Sequence, residues 1–172
     1  YDATRILSKR LSEWSKNLNR VDQKYVICSG GGPGIMRAAN RGASEAGAKS
    51  VALGISLPFE NSPNPYVDPE LNFEFHYFFT RKFWFSYLAK ALVIMPGGFG
   101  TLDEFFEILT LIQTGKIKKD QPIVLFGEEY WSKLINFKIL VDYGVIDGKD
   151  LDLFFITSSV DEAYEHITSR LG

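Results

Sequence analysis

The chain has 172 residues, 45% of them hydrophobic and 23% charged, with 19 basic side chains against 21 acidic ones and a formal net charge of −2. Those figures describe one globular domain large enough to bury a core unaided, and they exclude the basic excess of a nucleic-acid backbone binder. No stretch approaches the roughly 18 apolar residues of a membrane helix, and the single cysteine, Cys28, can form neither an internal disulfide nor a metal site.

Ile6, Leu7, Leu11, Trp14 and Leu18 recur at three- and four-residue steps, which predicts an amphipathic helix over 3–20. KYVICSG (24–30) reads as a buried strand, with Cys28 a small hydrophobe inside it, compatible with a reducing cytoplasm. Residues 32–47 carry a helical pattern, with Pro33 in its first turn and Gly47 as its stop. SVALGISLP (50–58) is a second strand, and the prolines and asparagines of 59–71 mark a loop with turns. NFEFHYF (72–78) alternates like a strand. TRKFWFSYLAKA (80–91) reads as a helix N-capped by Thr80, its aromatic run 83–87 reading as core. ALVIM (91–95) and PIVLF (122–126) are apolar strands, 101–115 a helix closed by Gly115, and 128–144 one continuous helix. LFFITSS (153–159) and 160–171 complete the chain as strand and helix. Apolar strands alternating with helices predict an α/β fold: a three-layer, doubly wound, mostly parallel sheet of Rossmann-like type.

Two strand-to-helix junctions are glycine-rich, SGGGPG (29–34) and PGGFGT (96–101). At the carboxyl edge of a parallel sheet, bare main-chain N–H groups and the positive end of a helix dipole form an anion site. Glycines also simply permit tight turns; two such turns on one edge favour a ligand. Neither junction has the P-loop pattern or a full dinucleotide fingerprint.

Thr101 and Glu104 form T-x-x-E, a capping-box pattern. The alternative role for Glu104 is an acid kept ionised by the helix dipole beside a bound anion, able to stabilise a cation or hold a water. Arg81 and Lys82 place two cations at a helix start, where the dipole disfavours them, and a bound anion would compensate. Arg81, with its forked guanidinium, is the better anion ligand of the two. His76 and His166 have no partner pattern and read as structural or surface residues.

Together GGGPGIMRAANRGA (30–43), FFTRK (78–82) and PGGFGTLDE (96–104) resemble the LONELY GUY (LOG) family, the phosphoribohydrolases also described as lysine-decarboxylase-like. The resemblance covers the chain from about residue 24 onward. It implies hydrolysis of the N-glycosidic bond of a nucleoside 5′-monophosphate carrying a purine, pyrimidine or cytokinin base. The products are the free base and ribose 5-phosphate. It implies no decarboxylation, no cofactor and no metal.

Residue by residue, the resemblance assigns Arg81 and Glu104 as the catalytic pair. It places Lys82, Gly97, Gly98, Phe99, Gly100, Thr101, Leu102, Asp103 and Thr110 in the substrate and phosphate site. Gly31, Gly32 and Gly34 form a second glycine turn facing the same pocket. Family members open with a strand and a Gly-Ser turn before the first helix, so 1–172 reads as a single Rossmann-like domain lacking that strand. Thr80 and Trp84 stand where plant-type members carry glutamate, which bears on the choice of base rather than on the reaction. The family also implies a cytoplasmic homodimer built on the helices over 83–91 and 105–113, with no nucleic-acid or membrane partner. The competing reading is a non-catalytic nucleotide or molybdenum-cofactor carrier, which has no need of the Arg81/Glu104 pair.

Overall fold

The computed structural model describes residues 1–18, 25–56, 64–118 and 120–172. The predicted ends of the first helix (19–20), the start of the first strand (24), the end of the second (57–58) and the start of the proline-rich loop (59–63) lie outside them. The described residues form two compact units, 1–89 with Gly172, and 90–171.

In the first unit, α1 (Asp2–Asn17) precedes β1 (Ile27–Ser29), α2 (Ile35–Glu45), β2 (Ser50–Ile55), β3 (Asn72–Phe75) and α3 (Phe78–Leu88). The strands form a parallel sheet in the order β1-β2-β3, with Ser29 beside Ala52 and Ile55 beside Phe75. The second unit holds β4 (Leu92–Ile94), α4 (Phe99–Gln113), β5 (Ile123–Phe126), α5 (Glu128–Leu134), α6 (Lys138–Asp142), β6 (Phe155–Thr157) and α7 (Val160–Leu171). Its sheet is also parallel, in the order β4-β5-β6. The chain is therefore an α/β fold of parallel strands flanked by helices, as the alternating pattern predicts, with the topology of a doubly wound Rossmann-like protein.

The first unit packs differently from expectation. The buried stripe of α1 is Thr4, Leu7, Ser8, Ser12 and Ser15, whereas Ile6 is exposed. Small hydroxyl side chains win that face because α2 comes close: a Cβ on Gly42 would lie 2.2 Å from the Arg5 carbonyl oxygen and 2.8 Å from Ser8 Cβ. Ser8 Oγ donates to the Ala39 carbonyl at 2.5 Å across the same seam, and Ser15 Oγ to the Tyr25 carbonyl at 2.7 Å. Behind it, Asn40 is fully buried and accepts from Ser29 Oγ (2.6 Å) and Asn64 Nδ2 (2.9 Å) while donating to Ser50 Oγ (2.9 Å). One amide thus ties β1, β2 and the segment before β3 to α2. Cys28, expected inside, is exposed, because successive strand residues face opposite ways and Ser29 takes the face under α2. Protein packed around its sulfur still disfavours the thiolate and pushes the thiol up to about 12.

The second unit has the larger apolar core. Ile94, Phe105, Ile108, Ile123, Leu125 and Trp131 are all buried together. The predicted helix over 128–144 is in fact two, because Ile135 is extended (φ −136°, ψ 124°). The break lets Ile135 and Phe137 both turn onto that core, with the Phe137 ring 4.7 Å from Phe154 and 6.1 Å from Phe105. A continuous helix would set residues two apart on different faces. Gly47, Gly115 and Gly144 follow helices with φ of +61°, +70° and +69°, and Gly47 and Gly144 complete paired main-chain caps.

The α1–α2 seam yields a direct test. Gly42→Ala substitutes the better helix former by about 1 kcal/mol, yet its methyl must push α1 away. The variant should lose about 2 kcal/mol of stability in urea unfolding, and an unchanged or higher midpoint would contradict the packing described.

Candidate functional site

Each glycine-rich turn sits at the carboxyl end of its own parallel sheet, the first between β1 and α2, the second between β4 and α4. Ligands of open α/β sheets bind at that edge.

The second turn is the more revealing. The helix α4 begins at Phe99, three residues earlier than its T-x-x-E pattern suggests, and its N-cap, Gly98, has no side chain to offer. Thr101 and Glu104 therefore do not form a capping box. Thr101 falls three residues inside the helix and Glu104 in the second turn. The first intrahelical bond is Leu102 N–H to the Gly98 carbonyl at 3.1 Å. The amides of Gly98, Phe99, Gly100 and Thr101 consequently have no intrahelical acceptor and gather at the positive end of a 15-residue helix.

The three glycines of this turn have different reasons to be glycine. At Gly97 a Cβ would lie 2.2 Å from Thr101 Oγ1 and 2.9 Å from Thr101 Cβ, so the threonine packs onto bare backbone. Gly98 has an ordinary φ of −86°, and neither Gly98 nor Gly100 has any atom within 4 Å of where a Cβ would stand. Neither strain nor crowding demands glycine at 98 or 100. What their bare backbone does supply is access, because both are exposed. Between them the Phe99 side chain is 91% exposed.

Glu104 follows Gly100 by four residues, so the two share one side of the helix. Helical side chains lean toward the N-terminus, and Gly100 leaves the space ahead of this carboxylate open. Glu104 is half-buried, as is Glu107 one turn on. Asp103 is exposed and shares a stripe with Phe99, Phe106 and Thr110, all of them also exposed. Thr110 donates to the Phe106 carbonyl at 2.7 Å and lies about 120° around the helix from Glu104. Leu102 points instead toward the core.

Two residues that sequence reasoning missed fix this turn from the β5–α5 junction. Tyr130 Oη donates to the Gly97 carbonyl at 2.6 Å. Gly127 (φ +104°) tucks beneath Pro96, where a Cβ would come within 3.2 Å of the proline Cγ. Neither could be found by pattern, since the tyrosine lies 33 residues from its partner.

In the first turn, Gly31 and Gly34 occupy left-handed φ values of +76° and +65°. The helix α2 starts at Ile35 with Gly34 as its N-cap, so Pro33 precedes the helix rather than opening it. The Gly31 N–H donates to Ser29 Oγ at 3.0 Å, the same hydroxyl that donates to buried Asn40. Its side-chain space is also closed, with Ala52 Cβ 2.8 Å from a built Cβ. Gly31 thus shapes the turn, while Gly32 stands half-buried and Gly34 exposed.

Arg81 lies in α3, which begins at Phe78, so Thr80 is within the helix and caps nothing. Its guanidinium lies over the Phe78 ring (5.4 Å) and the Phe85 ring (5.8 Å), which fixes its direction. Lys82 follows, half-buried. The aromatic run 83–87, expected in the core, is mostly exposed: Phe83, Trp84 and Tyr87 form a surface cluster, with Phe83 stacked 5.3 Å from Tyr87. Ser86 is the buried residue of this helix. His76 is exposed, 3.2 Å from Ser56 Oγ, and His166 stacks 4.7 Å from Phe155, where burial and then Arg170 lower its pKa. Among the described residues no group of three or more His, Cys, Asp or Glu side chains could hold a metal ion, and no helix is long and apolar enough to cross a membrane.

The glycines make a paired prediction. Gly97→Ala should cost about 1–3 kcal/mol by driving Thr101 off the turn. Gly98→Ala should stay within about 0.5 kcal/mol of wild type, because its φ and surroundings accept a methyl. Thermal unfolding of the two variants separates them, and equal losses would contradict the geometry.

The chain is similar to several known proteins. The chain is 26% identical over 147 residues to the "Probable cytokinin riboside 5'-monophosphate phosphoribohydrolase LOG4" of Oryza sativa subsp. japonica, covering 83% of this chain and 62% of that one. It is 31% identical over 116 residues to the "Pyrimidine/purine nucleotide 5'-monophosphate nucleosidase" of Escherichia coli (strain K12), covering 59% of this chain and 24% of that one. It therefore spans less than two thirds of either relative. Among solved structures, the structural-genomics protein TM1055 superposes with a TM-score of 0.66 at 23% identity, covering 98% of this chain and 86% of that one. The molybdenum cofactor carrier protein of Chlamydomonas reinhardtii superposes at 0.62 and 16% identity, covering 99% and 89%. Likeness at those identities speaks for the fold. Residues 36–167 match the family described as "Possible lysine decarboxylase", and the chain belongs to that family, related at low identity to phosphoribohydrolases of the LOG type.

Proposed function

We propose that the protein hydrolyses the N-glycosidic bond of a nucleoside 5′-monophosphate, releasing a free base and ribose 5-phosphate. The observation that carries this reading is the β4–α4 turn. Four N–H groups without intrahelical acceptors lie at Gly98 and Gly100, which nothing in the local packing requires to be glycine, and at their neighbours, with Glu104 one turn further on. The relatives, named for action on nucleoside 5′-monophosphates, support the same substrate class.

In this reading the amides of 98–101 and the α4 dipole hold the 5′-phosphate. The phosphate is remote from the bond that breaks, so its binding orients the ribose for reaction. As the C1′–N bond lengthens, positive charge builds on the sugar. An ionised Glu104 stabilises that charge and takes a proton from the attacking water, whose oxygen forms the new bond to C1′. The electron pair of the broken bond leaves on the base, which then takes up a proton. Arg81 is assigned to substrate positioning and to polarising the leaving base or a ribose hydroxyl, and Lys82 to substrate binding. The exposed aromatic cluster of α3 is assigned to a homodimer contact.

Incubation with a panel of purine, pyrimidine and cytokinin monophosphates, with free base followed by chromatography, should show release from at least one. Glu104→Gln should keep the fold by circular dichroism and lower turnover at least about a hundredfold. Near-wild-type turnover in that variant would remove Glu104 from the chemistry. Binding of monophosphates with no base released from any of them would favour a carrier instead.

A further inference from the structure

The β4–α4 turn has a Gly–Gly peptide, 97–98, at its centre. Such a peptide can rotate as a unit, because opposite changes in ψ of the first residue and φ of the second meet no Cβ at either end. Its carbonyl and its N–H lie in one plane and point in opposite directions, so a flip would swap the directions of the Gly97 oxygen and the Gly98 N–H. At that place an acceptor would then stand where a donor had been.

Tyr130 opposes that flip. Its hydroxyl donates to the Gly97 carbonyl at 2.6 Å from α5, an element reached only 33 residues later. The ring is braced edge-on against Trp131, 5.1 Å away at 86°. Trp131 is itself fully buried, and its Nε1 donates to the Phe126 carbonyl at 3.1 Å. The base of α5 is tied down in turn, with Gly127 N–H bonded to the Thr157 carbonyl at 2.8 Å and Glu128 N–H to Ser158 Oγ at 2.9 Å. The hydroxyl therefore hangs from a rigid part of the second unit.

We infer that Tyr130 is a positioning residue that locks the 97–98 peptide so that the Gly98 N–H stays turned outward as an anion donor. The inference deepens the phosphate-binding reading above and rests on it for the identity of the anion. Tyr130 touches no substrate; it acts through Gly97.

The test uses wild type and Tyr130→Phe, which keeps the ring against Trp131 and deletes the hydroxyl alone. Two readouts are taken by nuclear magnetic resonance: exchange broadening of the Gly98 amide, and the dissociation constant of inorganic phosphate from amide shifts. Tyr130→Phe should show Gly98 exchange absent from wild type and bind phosphate about tenfold more weakly. Adding Gly98→Ala should quench the exchange, because alanine resists the positive φ of the flipped state. A quiet Gly98 amide in Tyr130→Phe, with phosphate bound as in wild type, would overturn the inference. Should wild type bind no phosphate while the variant still shows exchange at Gly98, the lock stands and the anion assignment falls.

Discussion

The contact between Gly97 and Thr101 is the constraint on which the second unit's candidate site depends. A threonine inside the first turn of α4 packs onto a residue just before that helix, and only an absent side chain allows it. The contact folds the turn back on the helix end, which leaves the amides of 98–101 together at the start of α4. Pro96 over Gly127 and Tyr130 on the Gly97 carbonyl hold the other side of the same loop. The turn is thus fixed from within by one side chain and from without by the next βα junction.

Charge follows from that geometry. Four amides at a helix start carry partial positive charge, and an anion placed there needs no cationic side chain to hold it. Glu104 lies where its side chain can lean past Gly100 toward the helix end, so one helix can supply both the seat for an anion and a nearby base. The spacing G-T-x-x-E, with glycine and glutamate four apart, is the sequence form of that arrangement.

Much of this was legible in advance, for identifiable reasons. Parallel strands buried on both faces leave unbroken apolar runs, which is why PIVLF reads as the strand that β5 is, and α7 starts and stops where its pattern does. Glycine stops at 47 and 115 were equally plain, since left-handed φ is nearly a glycine property. Local patterns misled where tertiary contacts decide. T-x-x-E looks like a cap until Thr101 is seen to serve Gly97. The serine face of α1 carries no apolar signal because its partner is the bare backbone of Gly42. The break at Ile135 answers to a core assembled from Phe105 and Phe154, and Tyr130 finds its acceptor on another element. The motif 96–104 marked the candidate site without revealing what holds it in shape.

If main-chain donors at the start of α4 grip an anionic tail on the ligand, that tail should dominate the affinity. Calorimetric titration of the wild-type protein with a nucleoside 5′-monophosphate, and separately with the matching nucleoside, tests it most directly. The monophosphate should bind at least about a hundredfold more tightly, the worth of two charge-assisted hydrogen bonds at the low end of their range. Equal affinity for the two would contradict it.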